Sequence, residues 1–156
     1  MMRILMILLS GMLLIMQSGC RGRASVPIIN IEDQAIMRED GKALTAEQVK
    51  RAVITAGRAD KKFIWDVNEE QKGHLVAKLI VRGKHTVVVD IFYSATRLNI
   101  KYRASANLNF EKDKAGRGVI HPSYSLWVND FLQAIITEIQ RVDSISTIQT
   151  PGPERP

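Results

Sequence analysis

His74-Leu75-Val76-Ala77-Lys78-Leu79-Ile80-Val81-Arg82-Gly83-Lys84-His85-Thr86-Val87-Val88-Val89-Asp90-Ile91-Phe92-Tyr93 is the stretch that decides the fold. Leu75, Ala77, Leu79 and Val81 share one side of an extended chain, because side chains alternate with period two along a strand. After Arg82-Gly83 the same rhythm returns: Val87, Val89, Ile91 and Tyr93 alternate with Thr86, Val88, Asp90 and Phe92. Two alternating runs around a glycine turn predict a β-hairpin. A turn at Arg82-Gly83 sets His85 opposite Ile80 and far from His74. Working outward, Ser94-Ala95-Thr96-Arg97 turns the chain again, and Leu98, Ile100 and Tyr102 alternate with Asn99, Lys101 and Arg103. Upstream, Phe63, Trp65 and Val67 alternate with Ile64 and Asp66, and the polar run from Asn68 to Gly73 reads as a loop. Four successive strands of this kind predict an antiparallel meander with one buried face.

Helical signals flank the strands. In Leu44-Thr45-Ala46-Glu47-Gln48-Val49, Thr45 can cap a helix and Gln48 completes a capping box, with Leu44 and Val49 at staple spacing. Val49, Ala52, Val53 and Ala56 form one apolar stripe, and Gly57 stands where a C-terminal cap belongs. This predicts a helix from Ala46 to Ala56. A second helix begins near Pro122 and runs to about Val142, with Tyr124, Trp127, Val128, Phe131, Leu132, Ile135 and Ile139 on its apolar face. The predicted fold class is α+β: a four-stranded antiparallel sheet with an N-terminal and a C-terminal helix packed on one face. The sheet's other face carries Lys78, Asp90, Asn99, Lys101 and Arg103, but also Val76, Ile80, Val88 and Phe92. That is too apolar for a solvated face, so either the preceding segment or a partner covers it. The polar, glycine-containing stretch from Ser105 to Val119 reads as one long excursion, either functional or mobile.

The N-terminus carries a different message. Arg3 is followed by an uninterrupted apolar run, Ile4 to Met16, and then Gln17-Ser18-Gly19-Cys20. A basic start, a short apolar stretch and small residues have the layout of a secretory signal. As a helix the run would span about 20 Å, short of a bilayer core of about 30 Å. Ser18-Gly19-Cys20 resembles the lipobox of bacterial lipoproteins, although Gln17 stands where that motif has an aliphatic residue. The resemblance implies acylation at Cys20, an N-terminal membrane anchor, and a cell-envelope location, on the outer membrane facing the periplasm. The expected organisation is a lipoprotein signal peptide over 1–19, a tether over 20–43, one α+β domain over 44–143, and a disordered tail over 144–156, where three prolines and a glycine close the chain. Cys20 is the single cysteine, so no intramolecular disulfide can form and the core must supply the stability.

The 156-residue chain has a formal charge of +6. A basic surface suits anionic partners such as phospholipid headgroups or envelope polymers. Scattered lysines without a recognition motif argue against nucleic acid. His74, His85 and His121 lie on two strand ends and a helix start, without the spacing of metal ligands, and no cofactor motif appears. Neither a metal nor a cofactor is expected. The candidate binding or clamp residues are Ser105, Asn107, His121 and Tyr124, which could line a cleft at the start of the second helix, and Lys101 and Arg103 on one strand. His121 reads first as a structural clamp at that helix start. A Ser–His nucleophile from Ser105 and His121 is the catalytic alternative, but it lacks a signature such as G-x-S-x-G.

Across Leu44 to Val142 the chain also resembles a family of small uncharacterised proteobacterial lipoproteins. The residues that carry this are Trp65, Gly73, Arg82-Gly83, Tyr93, the run Tyr102-Arg103-Ala104-Ser105-Ala106-Asn107-Leu108, and the run Ile120-His121-Pro122-Ser123-Tyr124-Ser125-Leu126-Trp127-Val128. Relatives usually carry asparagine at the positions of Ser123 and Ser125. The resemblance implies lipidation and this fold, and it carries no activity. The expectation is a non-catalytic envelope module that binds a protein or an anionic polymer, with an envelope hydrolase using His121 and Ser105 as the alternative.

Overall fold

The computed structural model describes residues 24–142. The signal segment, Cys20 and the tail expected from 144 onward lie outside the described residues.

The chain runs β1 (Val26–Pro27), β2 (Ile31–Ala35), α1 (Ala46–Ala56), β3 (Trp65–Gln71), β4 (His74–Val81), β5 (His85–Tyr93), β6 (Arg97–Ala106), β7 (Glu111–Lys112), β8 (Gly118–Ile120) and α2 (Ser123–Arg141). This is an α+β fold with two helices. Its main sheet is antiparallel in the order β2-β6-β5-β4-β3, and β1-β8-β7 form a second, small sheet.

α1 starts where its capping box sets it. The Gln48 N–H donates to Thr45 Oγ1 at 3.2 Å, and the Thr45 N–H donates to Gln48 Oε1 at 2.8 Å. Val49, Ala52, Val53 and Ala56 are buried, as the stripe requires. Gly57 does not form the left-handed cap expected of it: its φ is −57°. It is glycine for space. A Cβ there would stand 2.8 Å from both the Trp65 carbonyl and Val67 Cγ2, while the Gly57 carbonyl accepts the Trp65 N–H at 2.8 Å. The helix end is thereby stitched to the first residue of β3.

The buried face of the sheet is the predicted one. Leu75, Ala77, Leu79, Val87, Val89, Ile91, Leu98 and Ile100 are inaccessible, and they form one core with Val49 and Val53 of α1 and with Tyr124, Phe131, Ile135 and Ile139 of α2. Trp65 and Phe131 stack across the layers at 4.7 Å. Full burial of such side chains contributes about 1.5–3 kcal/mol each.

The sheet has five strands where four were expected. The fifth, β2, comes from the segment read as tether, so from Val26 onward that segment belongs to the folded body. Its own pattern is weakly apolar. It takes its conformation from the open edge of β6, which offers a row of unpaired backbone groups, and from the Asp33 N–H, which donates to Asn99 Oδ1 at 2.9 Å. Beyond it Ile36 is buried, and Gln140 of α2 clamps both Met37 and Glu39 through their backbones. β2 extends the edge and leaves the outer face open: Ile80 and Phe92 remain exposed.

Two further expectations are corrected. β3 continues through the supposed loop to Gln71, as a charged edge strand of the kind that resists edge-to-edge association. The excursion from Ser105 is ordered too. β6 reaches Ala106, and β7 and β8 form a hairpin around Asp113, whose Oδ1 accepts the N–H groups of Ala115 and Arg117. These strands are too short and too exposed to alternate.

Register decides what meets what. The Lys84 N–H closes the β4–β5 turn on the Val81 carbonyl, with Arg82 and Gly83 both at positive φ. His85 is therefore opposite Val81, one residue from the expected Ile80, and His74 is opposite Phe92 at the far end. In β6 a bulge falls between the pairs Val88↔Ala104 and Val89↔Tyr102. Arg103 is the extra residue, and it sends Ser105 to the inner side opposite Val87.

Candidate functional site

The predicted site residues part company in the structure. The Ser105 hydroxyl is 3.0 Å from the Tyr102 hydroxyl. The His121 N–H donates to the Leu108 carbonyl at 2.8 Å, its Nδ1 accepts the Ser123 N–H at 3.1 Å, and its carbonyl accepts the Tyr124 N–H at 3.0 Å. The imidazole thus takes up a backbone donor that Pro122, the residue before α2, cannot satisfy with a side chain of its own. Among the described residues no hydrogen bond joins Ser105 to His121. Tyr124 is fully buried beneath the edge of the Tyr102 ring at 5.7 Å, its hydroxyl has no hydrogen-bond partner among the described residues, and burial pushes its phenol well above the ordinary value.

Asn107 does more than line a wall. It holds φ +58°, a conformation that asparagine tolerates better than most residues. From there its Nδ2 donates to the Lys84 carbonyl at 2.7 Å, and its own carbonyl lies 2.7 Å from His85 Nδ1. That carbonyl can only accept, so Nδ1 carries the ring proton, and Asn107 fixes both the hairpin turn and the His85 ring.

Lys101 and Arg103 separate as well. Lys101 approaches Glu32 of β2 at 3.6 Å. Arg103 donates to Glu70 and to Asp90, at 3.0 and 3.1 Å. His74 completes this outer-face cluster. Its Nδ1 is 3.2 Å from Glu70, its Nε2 is 2.8 Å from Asp90, and its ring stacks on Phe92 at 4.3 Å. Glu70, His74 and Asp90 are the one group among the described residues whose ligand atoms lie close enough together to hold a metal ion, all within 4.8 Å. The guanidinium of Arg103 already supplies a cation to both carboxylates, and it is the first cause holding Glu70 below its ordinary value. Reading Glu70 as part of a loop hid this cluster.

A second group of polar side chains surrounds a cleft of about 430 Å³ at the opposite end of β4. Lys62 and Phe63 come from the connection before β3, Arg82 and His85 from the β4–β5 turn, and His121, Ser123 and Trp127 from the start of α2, with Val81 and Leu108 beneath. Phe63 and Trp127 meet at 6.1 Å, and Lys62 Nζ sits 5.0 Å over the Phe63 ring. Among the described residues no carboxylate lines the cleft, and neither Lys62 nor Arg82 has an ion-pair partner; the nearby Asp60 carboxylate accepts the Lys62 N–H at 2.7 Å. With Nδ1 of His121 occupied as an acceptor, the proton of the neutral ring lies on Nε2. The cleft therefore offers two fixed cations, an imidazole donor and an aromatic wall. Such a set suits an anion.

Of the residues picked from sequence, His121 belongs to this cleft and Asn107 supports it. Lys62, Phe63, Arg82 and His85 were missed as site residues. A cationic residue beside an aromatic one, Lys62-Phe63, and a cation in a tight turn, Arg82, were the available signals. No protein-family model matches the chain, and no curated protein and no solved structure is significantly similar to it.

Proposed function

We propose that this is a non-catalytic binding module of the bacterial cell envelope, anchored to the outer membrane through acylated Cys20 and facing the periplasm, and that the basic cleft is its binding site for an anionic ligand. The observation that carries this reading is the charge imbalance of the cleft: Lys62, Arg82, His85 and His121 surround it without one carboxylate. Unbalanced cations beside a concave, partly aromatic surface are a ready site for phosphate or carboxylate. The anchor rests on the sequence from Arg3 to Cys20. No described helix is long and apolar enough to cross a membrane.

The hydrolase alternative has less support. The hydroxyl of Ser105 is engaged by Tyr102, and the Nδ1 of His121 by the backbone of α2, so neither stands as nucleophile and base to the other.

Two measurements test the proposal. Intact mass and membrane fractionation of wild type beside Cys20→Ala should show the acyl mass and the membrane location in wild type alone. Titration of the full chain with inorganic phosphate should change the fluorescence of Trp127, and Trp127→Phe should remove that response. Trp65, buried and stacked on Phe131, should contribute little to it. A flat titration would end the anion-binding reading, and equal behaviour of the two cysteine forms would end the anchor.

A further inference from the structure

The cleft and the first described strand lie at the same end of the molecule. Val26 of β1 pairs with Ile120 of β8, and the next residue, His121, lines the cleft. Cys20 precedes Val26 by six residues. Whatever their conformation, six residues span at most about 20 Å. A bilayer holding an acyl group on Cys20 is therefore held within about 20 Å of the strand pair beside the cleft. The opposite end of the sheet, with Gly73 and the Ser94–Arg97 turn, lies the whole length of β4 away.

The rim of the cleft suits such a surface. Phe63 and Trp127 form its aromatic wall, and outside the lining their chain neighbours Ile64 and Leu126 are large apolar side chains exposed at 57% and 60%. Amphipathic aromatics with exposed aliphatic neighbours, set beside unpaired cations, resemble the belt that proteins place at the headgroup level of a bilayer. A small soluble anion needs the cations alone and leaves Ile64 and Leu126 unexplained. An amphiphile uses both.

From this geometry we infer that the ligand of the cleft is the anionic phosphate headgroup of a phospholipid in the membrane to which the chain is anchored. Lys62, Arg82 and His121 take the phosphate, and Phe63 and Trp127 take the glycerol and the first methylenes. This rests on the proposed anion-binding role of the cleft and adds the ligand's class and its source.

The test uses the full chain in neutral maltoside micelles, with the imidazole resonances of His85 and His121 and the indole resonance of Trp127 as reporters. Three probes are titrated: dihexanoyl phosphatidylglycerol, dihexanoyl phosphatidylcholine and glycerol phosphate. The expected result is saturable shifts with phosphatidylglycerol, at least about tenfold weaker binding of the other two, and loss of the response in Lys62→Glu/Arg82→Glu. Ile64→Ser/Leu126→Ser should weaken phosphatidylglycerol towards glycerol phosphate and leave glycerol phosphate itself unchanged. If glycerol phosphate binds as tightly as the lipid, the lipid inference fails and the anion site stands. If no probe shifts the imidazoles, both fail. Equal binding of the zwitterionic and anionic lipids would overturn the assignment to an anionic headgroup.

Discussion

Two histidine-centred clusters sit at opposite ends of β4, and they are built on opposite principles. On the outer face, His74 lies between Glu70 and Asp90, Arg103 bonds both carboxylates, and Phe92 covers the ring. Every charge there has met its complement inside the protein. At the turn end, Lys62, Arg82, His85 and His121 gather without a carboxylate. A closed network does its work in the fold, since partly buried charges are tolerated when they are paired and hydrogen-bonded. An open one leaves its charge for something outside the chain. The outer cluster looks more like a metal site by residue type, and the cleft looks more like a binding site by charge balance. The balance decides, because a ligand must gain something that the protein has not already supplied.

The sharpest way to break this contrast is to reverse the open charges. Lys62→Glu/Arg82→Glu should weaken an anionic ligand by at least about 100-fold, or about 2.7 kcal/mol, the scale of lost charge-pair contacts. Stability should stay within about 0.5 kcal/mol, as expected for exposed side chains outside any network. Calorimetric titration beside urea denaturation gives both numbers. A large stability loss with unchanged affinity would make the cleft another structural cluster.

The mirror experiment removes one member of the closed network. Asp90→Ala leaves His74 Nε2 and one arm of Arg103 without their acceptor and should cost about 2 kcal/mol, with ligand affinity at the cleft unchanged. If Asp90→Ala is neutral in stability yet binds a divalent cation less well than wild type by calorimetry, the cluster is a metal site and the comparison must be redrawn.

Asn107 tests the support beneath the cleft. Asn107→Gly keeps the positive φ and loses the Nδ2 bond to Lys84, at about 1 kcal/mol. Asn107→Ala loses the bond and the easy backbone conformation together, and should cost about 0.5–1 kcal/mol more. Both variants should broaden the His85 ring resonances. Equal stability of the two would mean that the backbone conformation is not what Asn107 provides.

The same contrast explains what could be read in advance. α1 was legible to its first and last residue, because a capping box and an apolar stripe are local signals. The inner face of β4, β5 and β6 was legible for the same reason. β2 was not, since its sequence is nearly patternless and its pairing answers to the free edge of β6. Ser105 was read as the start of a polar excursion that could reach His121, but β6 continues through it, and the bulge at Arg103 sets Ser105 on the inner side beside Tyr102. The cleft draws on four separate segments, and nothing in the spacing of Lys62, Arg82, His85 and His121 brings them together until the strands have paired. Closed or open charge balance is a property of the fold, and only the composition of its parts is written in the sequence.

The smallest effect expected is one of pH, and it belongs to the closed cluster alone. Hydrogen bonding from Arg103, assisted by its charge, holds Glu70 below its ordinary value of 4.5. A carboxylate whose value is depressed by folding adds stability that is fully present above the unfolded value and is lost as pH falls through the folded one. Wild type should therefore melt higher than Arg103→Gln at neutral pH, and the gap should close as pH drops below about 4.5. A charge-neutral double variant in the cleft, Lys62→Gln/Arg82→Gln, should follow wild type across that range, because no carboxylate lines the cleft and the variant adds none. Thermal melts at a series of pH values decide it. A gap that persists unchanged to about pH 3 would mean that Arg103 supports the sheet through the packing of its stem and not through its charge, and the outer cluster would then be held by contact and not by balance.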